Sequence, residues 1–320
     1  MKLDMPTRNV PLIYLDQNIF STMLHPERGQ FRRVFQNLPA RLVISDTHLR
    51  EMRGRPRDYA DLLNSFDCHL LVHQIEPGSS ECLANRATLI ELHNALSHLE
   101  DQQIFAPIRD GFEDLFGLFH YWMGADRSLE YPQAMHRTRG RLKASLSTIL
   151  TDVPALLVAD ILKQVDAVET SPFPGDMKKI WQGLDKQISA ARTGDPMRDM
   201  TPLERVDFVL SKLPGDERAQ FLQQYPFQFA TARPLTVGEL AGLSLAFFTM
   251  GAVKTKGIIS GNRSERRFAA QMRDTHHIEA AAYSDAFLTA DQDAAILAAM
   301  TYAHAGVATE ALIYRAHPTR

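Results

Sequence analysis

Arg273-Asp-Thr-His-His-Ile-Glu-Ala-Ala-Ala-Tyr-Ser-Asp-Ala-Phe-Leu-Thr-Ala-Asp-Gln-Asp293 reads as a short helix, a turn, a buried strand and a carboxylate beyond the strand end. Asp274 is placed to open the helix. Ala280, Ala281 and Ala282 form a slim face that another backbone can approach closely. Tyr283-Ser284-Asp285 is polar and breaks the pattern. Ala286-Phe-Leu-Thr289 is short, apolar and closed by a β-branched residue, as expected of a central parallel strand. Asp291 then lies past the carboxyl end of that strand, the edge at which open α/β sheets bind ligands. A carboxylate at a helix start and another at a strand end could therefore meet over one site.

The N-terminal part supplies partners. Leu12 to Leu15 is an apolar strand ending at Asp16, and Leu42-Val-Ile-Ser45 is a second one. Ser45 is suited to cap the helix that follows, Asp46 to about Arg53, with Glu51 two turns in. Gln17 and Asn18 can cap the next helix or orient Asp16, capping being the expected role. A helix follows from Tyr59 to Phe66, and Cys68 to His73 is a third strand. The acidic set is thus Asp16, Glu51, Asp274 and Asp291.

This ordered set resembles the PIN-like nuclease superfamily. The matching features are Leu15-Asp16 after the first strand, Glu51 on a helix after Ser45, Asp274 on a late helix, and Thr289-Ala-Asp291 after a later strand. His277, three residues after the third acid, is similar to the longer PIN-like proteins rather than the small toxin type. The resemblance covers about residues 10–75 and 270–316. It implies a Rossmann-like three-layer α/β sandwich with a central, mostly parallel sheet, interrupted by a large all-helical insertion. The corresponding division is 1–78 for the first half of the core, 79–260 for the helical insertion and 261–320 for the second half.

Composition sets outer bounds. The chain has 320 residues, 45% of them hydrophobic and 23% charged, which is ordinary for a globular protein. A net charge of −3 gives no global footprint of nucleic-acid binding, so any such surface must be local. Two cysteines, Cys68 and Cys82, support neither a disulfide framework nor a cysteine metal site. No secretory leader opens the sequence, and the longest apolar run, about Leu240 to Val253, is shorter than the roughly 20 residues of a membrane span. The expectation is a cytoplasmic protein without membrane contact.

Residues 81 to about 260 read as mainly helical. Leu89, Leu92, Leu96 and Leu99 recur at helical spacing, as do Phe112 to Trp122 and Met177 to Ile188. Such stripes are usually core. Thr201-Pro-Leu-Glu204 and Thr236-Val-Gly-Glu239 are capping boxes, the first with Pro at the first helical position. Beyond Asp291, Gln292 to His304 is a helix ended by Gly306, and Ala311 to Tyr314 is an edge strand.

Two basic clusters lie beside the acids in sequence. Arg50 and Arg53 flank Glu51, and Arg263, Arg266, Arg267 and Arg273 lead to Asp274. Arginine recognises phosphate as a planar fork, whereas solvated helix ends carry cations for electrostatic reasons alone. Their place next to the acids favours phosphate contact.

Hard divalent cations choose carboxylate oxygen, so converging acids suit Mg²⁺ or Mn²⁺. The expected ligands are Asp16, Asp274 and Asp291, with Glu51 orienting a water. Asn18, His277, Thr289 and Asp293 are auxiliaries; Asp293 is also a natural helix-start acid, and His277 equally a packed residue. The resemblance implies a metal-dependent nuclease, RNA being the favoured partner, with products carrying 5′-phosphate ends. It also allows a homodimer and an inhibitory or partner protein. Two alternatives remain: a catalytically weak RNA-binding or protein-interaction module, and a toxin or defence nuclease acting on tRNA or DNA. Asp16-Gln-Asn18 lacks the second Asp of a haloacid-dehalogenase-like phosphatase, and no glycine-rich turn marks a dinucleotide site.

Overall fold

The computed structural model describes residues 10–25, 29–73, 87–92, 199–213, 238–254 and 264–315, with isolated positions between 133 and 219. Its strands are β1 (Leu12–Leu15), β2 (Arg41–Ile44), β3 (Cys68–His73), β4 (Ala87–Glu91), β5 (Ala286–Thr289) and β6 (Glu310–Ile313). They form one sheet in the order β4-β3-β2-β1-β5-β6. Neighbours run parallel except β4, which lies antiparallel on β3. From β1 the chain winds outward through β2 and β3. It later returns on the other side as β5 and β6. The winding direction therefore reverses between β1 and β5, which makes their carboxyl ends the topological switch point of the sheet.

The described helices are α1 (Gln17–Met23), α2 (Gly29–Gln36), α3 (Asp46–Met52), α4 (Pro56–Leu63), α5 (Pro202–Ser211), α6 (Glu239–Thr249), α7 (Ser264–Ala281) and α8 (Gln292–Ala305). Strand side chains alternate between the two faces of the sheet. Leu12, Tyr14, Val43 and Phe287 join one core with Val209 of α5, Phe247 of α6, Ile278 of α7 and Leu297 of α8. Leu15, Leu42 and Ile44 join the other with Ile19 and Phe20 of α1, Leu49 and Met52 of α3, and Leu62 of α4. The result is a three-layer α/β arrangement with a six-stranded, mostly parallel sheet. Helices α5 and α6 share the core of α7 and α8. Each fully buried Leu or Phe in these layers contributes roughly 1.5–3 kcal/mol.

Local chemistry explains several boundaries. Thr201 and Glu204 close their capping box at the start of α5, with the Thr201 amide donating to Glu204 Oε2 at 2.7 Å. Gly306 ends α8 at φ 65°, a left-handed conformation that glycine adopts without steric cost.

Four expectations require correction. Asp274 does not open a helix: Ser264–Ala281 is continuous, because no Gly or Pro interrupts it, and Asp274 lies in its third turn. Ala87–Glu91 is a strand, although Leu89 and Leu92 have helical spacing; pairing with β3 outweighs that short pattern. Helix α6 takes Gly238 as its N-cap rather than Thr236, which lies outside the described residues, and the Gly238 amide donates to Glu279 Oε1 of α7 at 2.6 Å. The helix expected from Tyr59 begins earlier, with Pro56 in its first turn. Leu96, Leu99, Phe112 to Trp122, Met177 to Ile188 and Arg263 lie outside the described residues. Among the described residues, no helix is long and apolar enough to cross a membrane.

Candidate active site

The site is built at the switch point. Asp16 follows β1 directly, and its backbone N–H donates to Leu288 O of β5 at 2.9 Å, so the two strand ends are tied together. Asp16 as a whole is 5% exposed. Oδ2 accepts from Thr289 Oγ1 at 2.5 Å and from Asn18 Nδ2 at 2.7 Å. Asn18 Nδ2 also reaches Thr289 Oγ1 at 3.2 Å, and its Oδ1 accepts from the Ala290 amide at 3.3 Å. Asn18 thus orients Asp16 rather than capping α1, which corrects the expected role. It joins the β1–α1 turn to the β5–α8 turn.

Thr289 is fully buried and also accepts from the Asp291 amide at 3.0 Å. Asp291 is the N-cap of α8. Its Oδ1 accepts from the amides of Asp293 and Ala294 at 2.7 and 3.3 Å, two donors that a helix start leaves without partners. Asp293 sits in the first turn of α8, where a negative charge complements the helix dipole.

Asp274 approaches from α7. Burial pushes its carboxyl well above the ordinary range, and the charges of Asp16, Asp291 and Glu51 push it further; Arg273 opposes them. The three other predicted acids therefore all act on Asp274. Burial likewise raises Asp16, opposed by His277, by the Thr289 hydroxyl and by the Gln17 amide.

Glu51 differs. Burial alone would raise it, but His277 and then Arg273 outweigh burial and hold it at about 2. Its Oε1 accepts from Arg273 Nε at 2.6 Å, and its Oε2 accepts from His277 Nε2 at 3.0 Å. The other ring nitrogen of His277, Nδ1, lies 2.7 Å from the Tyr14 hydroxyl, which lies 2.8 Å from Ser45 Oγ. His277 is 1% exposed and Tyr14 is fully buried. Burial pushes the Tyr14 phenol well above its ordinary value, so it keeps its proton.

His48, at the third position of α3, completes the wall. Its Nδ1 accepts from the Ser45 amide at 3.1 Å, so its proton is on Nε2, which donates to Leu15 O at 2.7 Å. Burial, and then the neighbouring His277, lower its pKa well below the usual imidazole value. The neutral ring pins α3 to the last residue of β1.

Sequence reasoning missed Tyr14, His48 and the Ser45 hydroxyl as members of this network. Tyr14 carried one usable signal: a tyrosine inside a buried strand must find a partner for its hydroxyl. Among the predicted phosphate contacts, Arg273 is committed to Glu51. Arg50 and Arg53 are partly buried, and Arg266 and Arg267 are exposed. Arg267 and Asp274 are seven residues apart on α7, hence on one face and about 10 Å apart along the axis.

The donor set is carboxylate oxygen, the chemistry that hard divalent cations select. Burial and mutual repulsion raise Asp16 and Asp274, and a cation would relieve both effects. Among the described residues, no three His, Cys, Asp or Glu side chains form a metal-holding group as they stand. No family model, curated protein or solved structure matches this chain. The functional reading therefore rests on the residues and their placement.

Proposed function

We propose that this chain is a metal-dependent phosphodiesterase of PIN-like type, with RNA as its favoured substrate. One observation carries the reading. At the switch point of a parallel sheet, the partly buried Asp274 carboxyl is raised first by burial and then by the charges of Asp16, Asp291 and Glu51, the three other acids singled out from the sequence. A partly buried cluster of carboxylates is costly to keep charged without a cation. Asp16, Asp274 and Asp291 would hold Mg²⁺ or Mn²⁺ through their carboxylate oxygens.

The bound ion supplies Lewis acidity, acidifying water and neutralising charge that develops on the phosphoryl group. The protein residues do the rest. Thr289 and Asn18 fix the Asp16 carboxylate through Oδ2, and the α8 amides fix Asp291 through Oδ1. Exposed Arg266 and Arg267 on α7, and Arg53 after α3, attract the phosphate backbone.

The test is cleavage of labelled single-stranded RNA and DNA with Mn²⁺, Mg²⁺ or EDTA, by the wild type and Asp16→Asn. The expected result is metal-dependent cleavage that falls at least about 100-fold in the variant. Cleavage that survives EDTA or Asp16→Asn refutes the mechanism. Binding without cleavage by either protein would move the assignment to an RNA-binding module, and preference for DNA would correct the substrate.

A further inference from the structure

We infer that Glu51 acts as a positioning residue rather than a ligand: it staples α7 through Arg273 and His277, and so fixes where Asp274 points. The inference rests on the metal-nuclease reading and deepens it. Both Glu51 oxygens are in use, Oε1 by Arg273 Nε and Oε2 by His277 Nε2. Arg273 and His277 are four residues apart, one helical turn, so a single carboxylate on α3 grips two successive turns of α7. Asp274 is the neighbour of Arg273 on the gripped segment.

A helix turns by about 100° per residue. Even a fraction of that rotation at residue 274 would carry its carboxylate away from Asp16 and Asp291. The grip sets this angle.

The staple is itself held in place. His277 Nε2 must carry a proton to donate to Glu51. That is satisfied whether Tyr14 donates to Nδ1 or accepts from it, because Ser45 Oγ on the far side of Tyr14 can give or take the remaining hydrogen bond. Tyr14 belongs to β1, the strand that also delivers Asp16. One chain, Ser45–Tyr14–His277–Glu51–Arg273, buried from Ser45 to His277, therefore ties the helix bearing Asp274 to the strand bearing Asp16. On this basis His277 takes no part in binding phosphate, since it is buried with both ring nitrogens engaged. Arg273 is likewise a positioning residue.

The test uses the full chain without RNA. Free Mn²⁺ is titrated and read by electron paramagnetic resonance for the wild type, Tyr14→Phe, Arg273→Gln and Arg273→Lys. Each variant is also melted, and the ring nitrogens of His277 are assigned by long-range ¹H–¹⁵N spectra. Removing a group that orients a ligand typically weakens metal binding by about 10–100-fold. That loss is expected for Arg273→Gln, with a smaller one for Tyr14→Phe, and partial recovery in Arg273→Lys. In the wild type a proton should be found on Nε2, and it should stay there in Tyr14→Phe, because the Glu51 carboxylate can only accept.

If Arg273→Gln fails to fold, Tyr14→Phe and Arg273→Lys decide the matter by the same readouts. Variants that melt lower but bind Mn²⁺ as the wild type does would overturn the positioning role and leave the nuclease reading intact. A wild type that binds no Mn²⁺ would overturn both. A wild-type His277 protonated only on Nδ1 would overturn the staple whatever the metal does.

Discussion

The Glu51 staple gives a stability prediction that does not depend on metal. Its carboxyl sits at about 2 instead of the ordinary 4.5, because His277 and Arg273 outweigh the effect of burial. At ~1.4 kcal/mol per pH unit, this depression corresponds to about 3 kcal/mol of preference for the ionised, folded form. The side chain is 21% exposed, so solvent weakens the pairing only modestly. Because the folded pKa lies below the unfolded one, the unfolded chain binds more protons between pH 2 and 4.5, and stability rises with pH across that window. The contribution is complete above about pH 5. It is lost as pH falls through the folded value, with about 0.5 kcal/mol left at pH 2.

Glu51→Gln retains the shape and can still accept from His277 or Arg273, but it cannot ionise. Urea denaturation of wild type and variant, followed by circular dichroism in EDTA between pH 3 and 7, isolates the difference. A gap of about 3 kcal/mol at pH 7 that shrinks towards about 1–1.5 kcal/mol at pH 3 is expected. A gap independent of pH, or one below about 1 kcal/mol at pH 7, would refute the staple as the cause of the depressed pKa.

Two further outcomes follow from single groups. Thr289→Val keeps the shape of a fully buried side chain but removes the hydroxyl that serves Asp16 and the Asp291 amide; urea denaturation should show a loss of about 1–3 kcal/mol, which Thr289→Ser largely restores. Gly306→Ala places a Cβ where nothing stands within 4 Å, so only the left-handed φ of +65° opposes it; the expected cost is about 1 kcal/mol in the same measurement, and a neutral result would show that α8 ends without help from glycine.

The strands could be read from the chain because their chemistry is local. Leu12–Leu15 and Cys68–His73 have the bounds their apolar runs suggested, and Ala286–Thr289 likewise. Gly306 and the Thr201–Glu204 box end and start helices through bonds that span only a few residues. The acids Asp16 and Asp291 were legible for a related reason: the residue after a parallel strand is carried to the ligand-binding edge of the sheet. Together, these features specified the alternation of strands and helices and the edge on which the carboxylates gather.

What each of those carboxylates does was decided only in three dimensions. Nothing near Glu51 in sequence announces that residues 273 and 277, more than two hundred positions away, will hold it. Arg273 looked like a phosphate contact and His277 like an auxiliary of the site or a packed residue because isolated residue types suggest their commonest chemistry. Their true partners come from α3 and β1. Asn18 read as a cap until Asp16 and Thr289 were brought within 3.2 Å of its amide nitrogen. Ala87–Glu91 read as helix until β3 offered it an edge. Periodicity and capping act over a few residues and are written in the sequence; burial and charge pairing depend on which distant groups the fold brings into contact, and these set the pKa values and partners at the site.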